Sequence, residues 1–351
     1  MDSLLPIPAP GGADSVPPAP VPAVISGFWR RVLALILDSI LLGLVGALLG
    51  VFLFDFFASL GAWGRLLGFC IAVSYFGILN SSLGNGQSVG KRIAKIRVVD
   101  REGSTIALSR SLFRYVLLDV GFFLNGLLLP ASIISSPVST ILSLIVFGWS
   151  GAIVYLYIFN RKTRQSAHDL VVGTYVVETL PKGRVEAPSV WRGHFAVLGV
   201  YLVCLIVLLT IVIPRLGQMG PFPELLTVVE AVQKSPDVVT SNVFAGKTWG
   251  SQGETTTMVI TVVWKGRPRD YEKAADQIAA LALQADPAIL RRNVLTISIV
   301  YGYDIGIARV WRSNSFGYAP QQWQERLSKS PQETKQTLRF PVPPRHVFTS
   351  L

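Results

Sequence analysis

One carboxylate inside an otherwise uncharged apolar run constrains this chain more than any other feature. Residues 32–54 carry no charge except Asp38. A run of that length covers the roughly 30 Å hydrocarbon core of a bilayer as a helix. A carboxylate at helix depth costs about 2.5–3.5 kcal/mol even on lenient insertion scales. Arg31 stands at the mouth of the run, seven residues before Asp38. At 100° per residue the two share nearly one helix face, with Asp38 roughly 10 Å deeper along the axis. A chain that keeps such a residue has a structural or functional use for it.

Four further apolar runs follow, at residues 66–83, 115–134, 138–159 and 195–213. The third contains Asp119 and Asn125, and the fifth has no charge at all. Half of the chain is hydrophobic and 15% is charged, the balance of a polytopic membrane protein. The formal net charge of +11 fits Lys and Arg gathered in the loops of one membrane face. Nucleic acid is not expected as a partner, because no recognition motif or interleaved aromatic pattern accompanies the basic residues. Cys70 and Cys204 both lie in apolar runs, so no disulfide and no Cys metal site is expected. The three histidines are far apart in sequence, and neither a metal nor a cofactor is expected.

Charge also orients the runs. Arg30 and Arg31, residues 91–114 and residues 161–192 are strongly basic, whereas the loops near 55–65 and 130–138 carry almost no positive charge. The positive-inside rule places the N-terminus in the cytoplasm and, after five crossings, the C-terminus outside a bacterial inner membrane. Residues 1–26 are rich in proline and alanine and read as a disordered tail. Ser39, Gly43 and Ala47, with Gly46 and Gly50, give the first run a row of small residues that admits another helix of the same chain.

Residues 85–114 form a basic loop. Ile96, Val98 and Val99, the turn at Asp100 to Gly103, and residues 105–108 predict a short hairpin. Lys91, Arg92, Lys95 and Arg97 are expected to face anionic lipids, each attracted by about 1 kcal/mol near the surface. Gly84 to Lys91 is not a phosphate loop, since Asn85 and Arg92 occupy positions where that motif needs Gly and Ser or Thr. Residues 181–194 read as a basic linker, 195–214 as the fifth membrane helix, and 328–351 as a loose tail. Residues 215–327 read as an extracytoplasmic α+β domain in the order α-β-β-α-β-β, because apolar helical periodicity alternates with β-branched runs. Nothing in the chain pairs a nucleophile with an evident base, so an enzyme is not expected.

Three segments together resemble the RDD family of bacterial membrane proteins. The first is Gly27-Phe28-Trp29-Arg30-Arg31 with Asp38; the second is Gly90-Lys91-Arg92 with Ile96 to Gly103; the third is His168-Asp169 with Gly173-Thr174-Tyr175-Val176-Val177. The resemblance covers about residues 27–178 and implies a membrane all-α bundle of four helices over residues 27–180, to which the fifth helix and the α+β domain are additions. It carries the family's one Arg and two Asp over as Arg31, Asp38 and Asp169. It also implies cation/proton exchange as an activity proposed within the family. Asp38, Asp119 and Asn125 are then the candidates for an ion or proton site. Asp169 is expected to pair with Arg31 or with an Arg of the 91–114 stretch, tying the two ends of the module together. Two function classes follow: small-cation or proton transport through intramembrane carboxylates, and a non-catalytic anchor that presents the outer domain to a ligand or protein.

Overall fold

A computed structural model describes residues 21–130, 133, 136–220, 222–250 and 253–328. Most of the N-terminal tail and nearly all of the C-terminal tail lie outside the described residues. Helix α1 is Phe28–Phe52. Helices α2 (Phe54–Leu60) and α3 (Gly64–Leu79) follow as one nearly continuous apolar rod with a single tight turn between them. Then come the short helix α4 (Val89–Ile93), strand β1 (Ile96–Val99) and helix α5 (Leu108–Leu124). Helix α6 (Pro137–Phe159) leads through the short α7 (Ala167–Val172) and strand β2 (Tyr175–Glu178) to helix α8 (Gly193–Gly217). Among the described residues, four segments are long and apolar enough to cross a membrane: α1, α2 with α3, α6, and α8.

Helix α5 departs from the apolar run at 115–134. It starts inside the basic stretch and stops at Leu124, where Asn125 turns extended and Gly126 takes φ +86°. Its 17 residues rise only about 25 Å, and it packs chiefly along α3.

The expected hairpin within residues 85–114 does not form. The turn is present, with the Asp100 amide donating to Ser104 O and Gly103 at φ +83°. Yet β1 pairs antiparallel with β2, Ile96 opposite Glu178 and Val99 opposite Tyr175. Residues 105–107 instead lead into α5, and Ile106 is buried beside Ile96, Val98 and Val176. Both faces of β1 are therefore apolar contacts, which the Tyr-Val-Val-Glu strand provides and a self-contained hairpin does not. Residues 21–26 also leave the expected tail. Ile25 bridges Val177, Ala23 donates to Arg184 O and Glu178 donates to Val24 O, so this segment lies along β2. The linker joins the same cluster through Val185, buried with Ala23, Val99 and Val177.

The C-terminal region comprises helix α9 (Phe222–Val232), strands β3 (Val238–Gly250) and β4 (Gly253–Trp264), helix α10 (Tyr271–Ala285), strands β5 (Val294–Asp304) and β6 (Arg309–Tyr318), and a last helix α11 (Pro320–Ser328). The sheet order is β3-β4-β5-β6, with antiparallel outer pairs and a parallel β4–β5 pair that α10 connects. A parallel pair requires such a crossover. Met258, Ile260 and Val262 alternate with Leu295, Ile297 and Ile299 on one buried face. Ala274, Ala275, Ile278, Ala279 and Ala282 of α10 cover it, with Val228, Val232 and Trp323 from the flanking helices. Small alanines let α10 lie close to the sheet.

This domain docks on the end of the bundle opposite the basic loops. The β5–β6 turn enters a seam between α1, α3 and α5. Ile305 and Tyr303 are buried there with Phe57. A Cβ on Gly50 would overlap the Tyr303 hydroxyl, and one on Gly68 would overlap the Ile305 carbonyl oxygen. A Cβ on Gly46 would come within 2.8 Å of the Ala308 Cβ. The glycine row of α1 thus admits a β-turn from the far end of the chain, where the expectation was a helix.

Candidate functional site

The three motif segments meet at the basic end of the bundle. Asp38 is fully buried, ten residues into α1, and faces the start of α4. Its Oδ1 accepts from the Gly90 amide at 2.7 Å and from the Tyr75 hydroxyl at 2.8 Å. Its Oδ2 accepts from the Ser88 hydroxyl at 2.5 Å. Gly90 is required at this point, because a Cβ there would overlap the Ala34 carbonyl and crowd the Asp38 carboxyl carbon at 3.0 Å. Asp38 therefore fastens the basic loop to the membrane helix through neutral donors, which carry it without a cation beside it.

Asp169 is organised by its own short helix. Ser166 and Asp169 form a reciprocal capping box, and Gly173 ends α7 at φ +68°. That turn brings the Thr174 hydroxyl to Asp169 Oδ1 at 3.0 Å. Arg114 of α5 donates to the same oxygen from Nη2 at 2.6 Å and from Nε at 2.9 Å. The spacing His-Asp…Gly-Thr thus has a local physical cause: box, stop and second hydroxyl donor. Burial disfavours the charged carboxylate, but Arg114, with smaller contributions from His168 and Arg31, outweighs it and holds Asp169 well below the usual carboxylate range. Burial also pushes the neighbouring His168 down to about 3, so its imidazole is neutral at ordinary pH.

Arg31 has a different job from the one its spacing implies. It does not pair with Asp38 or Asp169. Its Nη2 donates to Val176 O at 2.9 Å and its Nη1 to Arg164 O, so it pins strand β2 and the loop before α7 to the first helix. Arg114, within the 91–114 stretch, is the partner that Asp169 takes.

These residues line a cavity of about 340 Å³ whose wall includes Arg31, Asp38, Lys91, Arg114, His168 and Asp169, together with apolar side chains of α1, α3, α5 and α6. Lys91 turns inward and donates to the Tyr115 hydroxyl at 2.9 Å. It lies 5.6–5.7 Å from the ring centres of Tyr115 and Phe76, an attractive arrangement for a cation. Arg92 and Lys95 stay exposed, and Arg97 is half-buried. Asp119 is not part of the cavity wall that Asp38 lines. Asn125 is exposed at the opposite end of α5. Asp119 and Asn125 thus do not share the cavity lining with Asp38, and Asn125 lies at the far end of α5. Among the described residues no group of three or more His, Cys, Asp or Glu side chains could hold a metal ion.

A second polar centre lies at the opposite end. Arg65 is buried at the start of α3 and donates from Nη1 to Asp304 Oδ2 at 2.6 Å. Its Nε and Nη2 donate to the carbonyls of Phe123 and Phe122 at 2.8 and 2.9 Å. Those are among the last carbonyls of α5, which have no partner within their own helix. Arg65 therefore ends α5 and joins it to the sheet domain in one residue. In the sequence it falls at the end of the loop near residues 55–65. The available signal was a lone Arg on the nearly uncharged side of the bundle, just before an apolar run.

Comparison with curated proteins and with solved structures finds no match. The family model that matches is that of the RDD family, over residues 25–173. That span holds Arg31, Asp38, Arg114 and Asp169 and stops before α8 and the sheet domain, so over this stretch the chain is similar to the RDD family.

Proposed function

We propose that this protein is a non-catalytic membrane platform. Its RDD bundle holds and orients the sheet domain outside a bacterial inner membrane, where that domain takes a ligand or protein partner. The basic end faces the cytoplasm, as loop charge favours, and the docked domain lies on the other side. The observation that carries this reading is the seating of the β5–β6 turn between α1, α3 and α5, secured by Arg65 and Asp304. A tether of one helix needs no such joint.

The competing reading is cation or proton exchange through Asp38 with Asp119 and Asn125. The geometry favours it less. Asp38 is committed to three donors, and its cavity is lined by three cations, Arg31, Lys91 and Arg114, against one further carboxylate, a balance that disfavours a passing cation. Proteoliposomes test both. The platform reading expects no proton flux on adding Na⁺ or K⁺. Flux in the wild type that disappears in Asp38→Asn would overturn it. In a cysteine-free background, Lys247→Cys in intact cells should react with a membrane-impermeant thiol reagent added outside; protection there would reverse the orientation.

A further inference from the structure

The cavity at the basic end carries more positive charge than its own carboxylates match. Arg31, Lys91 and Arg114 line it against Asp38 and Asp169, and His168 adds no charge. Asp169 is matched by Arg114, and Asp38 is satisfied by neutral donors. Three buried nitrogens of residues that line it have no hydrogen-bond partner among the described residues: Arg31 Nε, Arg114 Nη1 and His168 Nδ1. All three side chains are more than nine-tenths buried. Unpaired buried donors are costly and rare, so three on one cavity call for an acceptor-rich occupant. Apart from Tyr115 and Tyr157, the rest of the wall is apolar. It runs out along Leu35, Val154 and Ile158, which are exposed on the outer surface of the bundle. A polar, cationic floor joined to an apolar wall suits an amphiphile better than a free ion.

We infer that this cavity is a binding site for the phosphate head group of an anionic phospholipid, with the acyl chains leaving between α1 and α6. Lys91 and the free faces of Arg31 and Arg114 supply the donors, and the neutral His168 contributes one more from Nδ1 or accepts a head-group hydroxyl there. The inference does not rest on the platform reading, since a transporter could carry the same lipid.

The test is native mass spectrometry of the full-length protein in detergent, titrated separately with phosphatidylglycerol and phosphatidylcholine. One phosphatidylglycerol is expected to bind at least about fivefold more tightly than phosphatidylcholine, the equivalent of about 1 kcal/mol for one basic residue at an anionic head group. Lys91→Gln should remove that preference, whereas Arg92→Gln, at the exposed neighbouring position, should keep it. A melting curve for each variant confirms that it is folded. Arg31→Lys, which keeps the charge but loses Nε, provides a second variant and should weaken the preference. Equal binding of the two lipids, or a preference that survives in folded Lys91→Gln, would overturn the proposal. Inorganic phosphate is the other source of the same chemistry. If millimolar phosphate displaces the lipid and binds without it, the site belongs to a free anion and the lipid assignment fails.

Discussion

The two ends of the bundle are closed by different means. At the basic end, segments of one module clasp each other: Arg31 on backbone carbonyls, Asp38 on the start of α4, Asp169 on Arg114. At the opposite end the module does not close itself. Its seam of glycines is filled by Tyr303 to Ala308, and its helix-end carbonyls are held by an arginine that also needs Asp304. The family match covers the first closure up to residue 173, short of Thr174 and Val176, and the receiving half of the second, but not the turn that fills it. The module is thus a self-sufficient clasp at one end and a socket at the other.

The strongest way to break this contrast is at the clasp. Arg114→Met leaves Asp169 buried without its cation and should cost about 3–5 kcal/mol in detergent-solubilised protein, because an uncompensated buried charge is far worse than no pair. The double variant Arg114→Met with Asp169→Leu should recover much of that loss. A single variant that melts like the wild type would show that the clasp carries no stability.

At the socket the expected loss is smaller and of another kind. Gly68→Ala forces the Ile305 carbonyl out of the seam. Overpacking of this sort costs about 1–3 kcal/mol. The sheet domain should keep its own core, so the readout is faster protease cleavage between α8 and α9 with the β-sheet signal retained. Unchanged cleavage would mean that the turn is not what seats the domain.

Acid should act on the clasp. The folded state holds His168 down to about 3, whereas an unfolded histidine titrates near 6.5. Below about pH 6.5 the unfolded chain takes up a proton that the folded chain refuses. Stability then falls by up to about 1.4 kcal/mol per pH unit until the folded imidazole itself titrates. Asp169, also depressed, adds its loss only below about pH 4, the ordinary carboxylate value. His168→Gln should flatten the profile between pH 6 and 4.5; an unaltered slope would move the sensitivity elsewhere. The smallest effect belongs to Tyr75→Phe, which removes one of three donors to Asp38. A loss of about 1 kcal/mol is expected by thermal unfolding, and a loss several times larger would mark Asp38 as poised on that one hydroxyl.

The sequence exposes the clasp better than the socket, and the reason is local. Asp38 announces itself as a charge in an apolar run. Asp169 sits in a capping box that closes within eight residues, from Ser166 to Gly173. What spacing could not supply was partnership. Arg31 and Asp38 share a helix face, yet each bonds to a different segment. Strand β1 has an adjacent apolar stretch, residues 105–108, that resembles a hairpin partner, and the strand that pairs with it lies nearly eighty residues on. Arg65 and Asp304 are separated by 239 positions. No periodicity within either segment refers to the other. A glycine row shows that something approaches closely, not whether it is a helix or a turn.

That separation has a consequence for how the chain is made. Synthesis proceeds at roughly 5–20 residues per second, so the interval between Arg65 and Asp304 lasts about 10–50 s. For most of it, once synthesis has passed residue 124, α1, α3 and α5 can already be in the membrane while the segment that completes their packing has not left the ribosome. The glycine seam is open for that time, and any chain that stops short of residue 304 leaves it open for good. The joint therefore works as a record of completion: only a chain translated through β5, and delivered to the correct side, can close it.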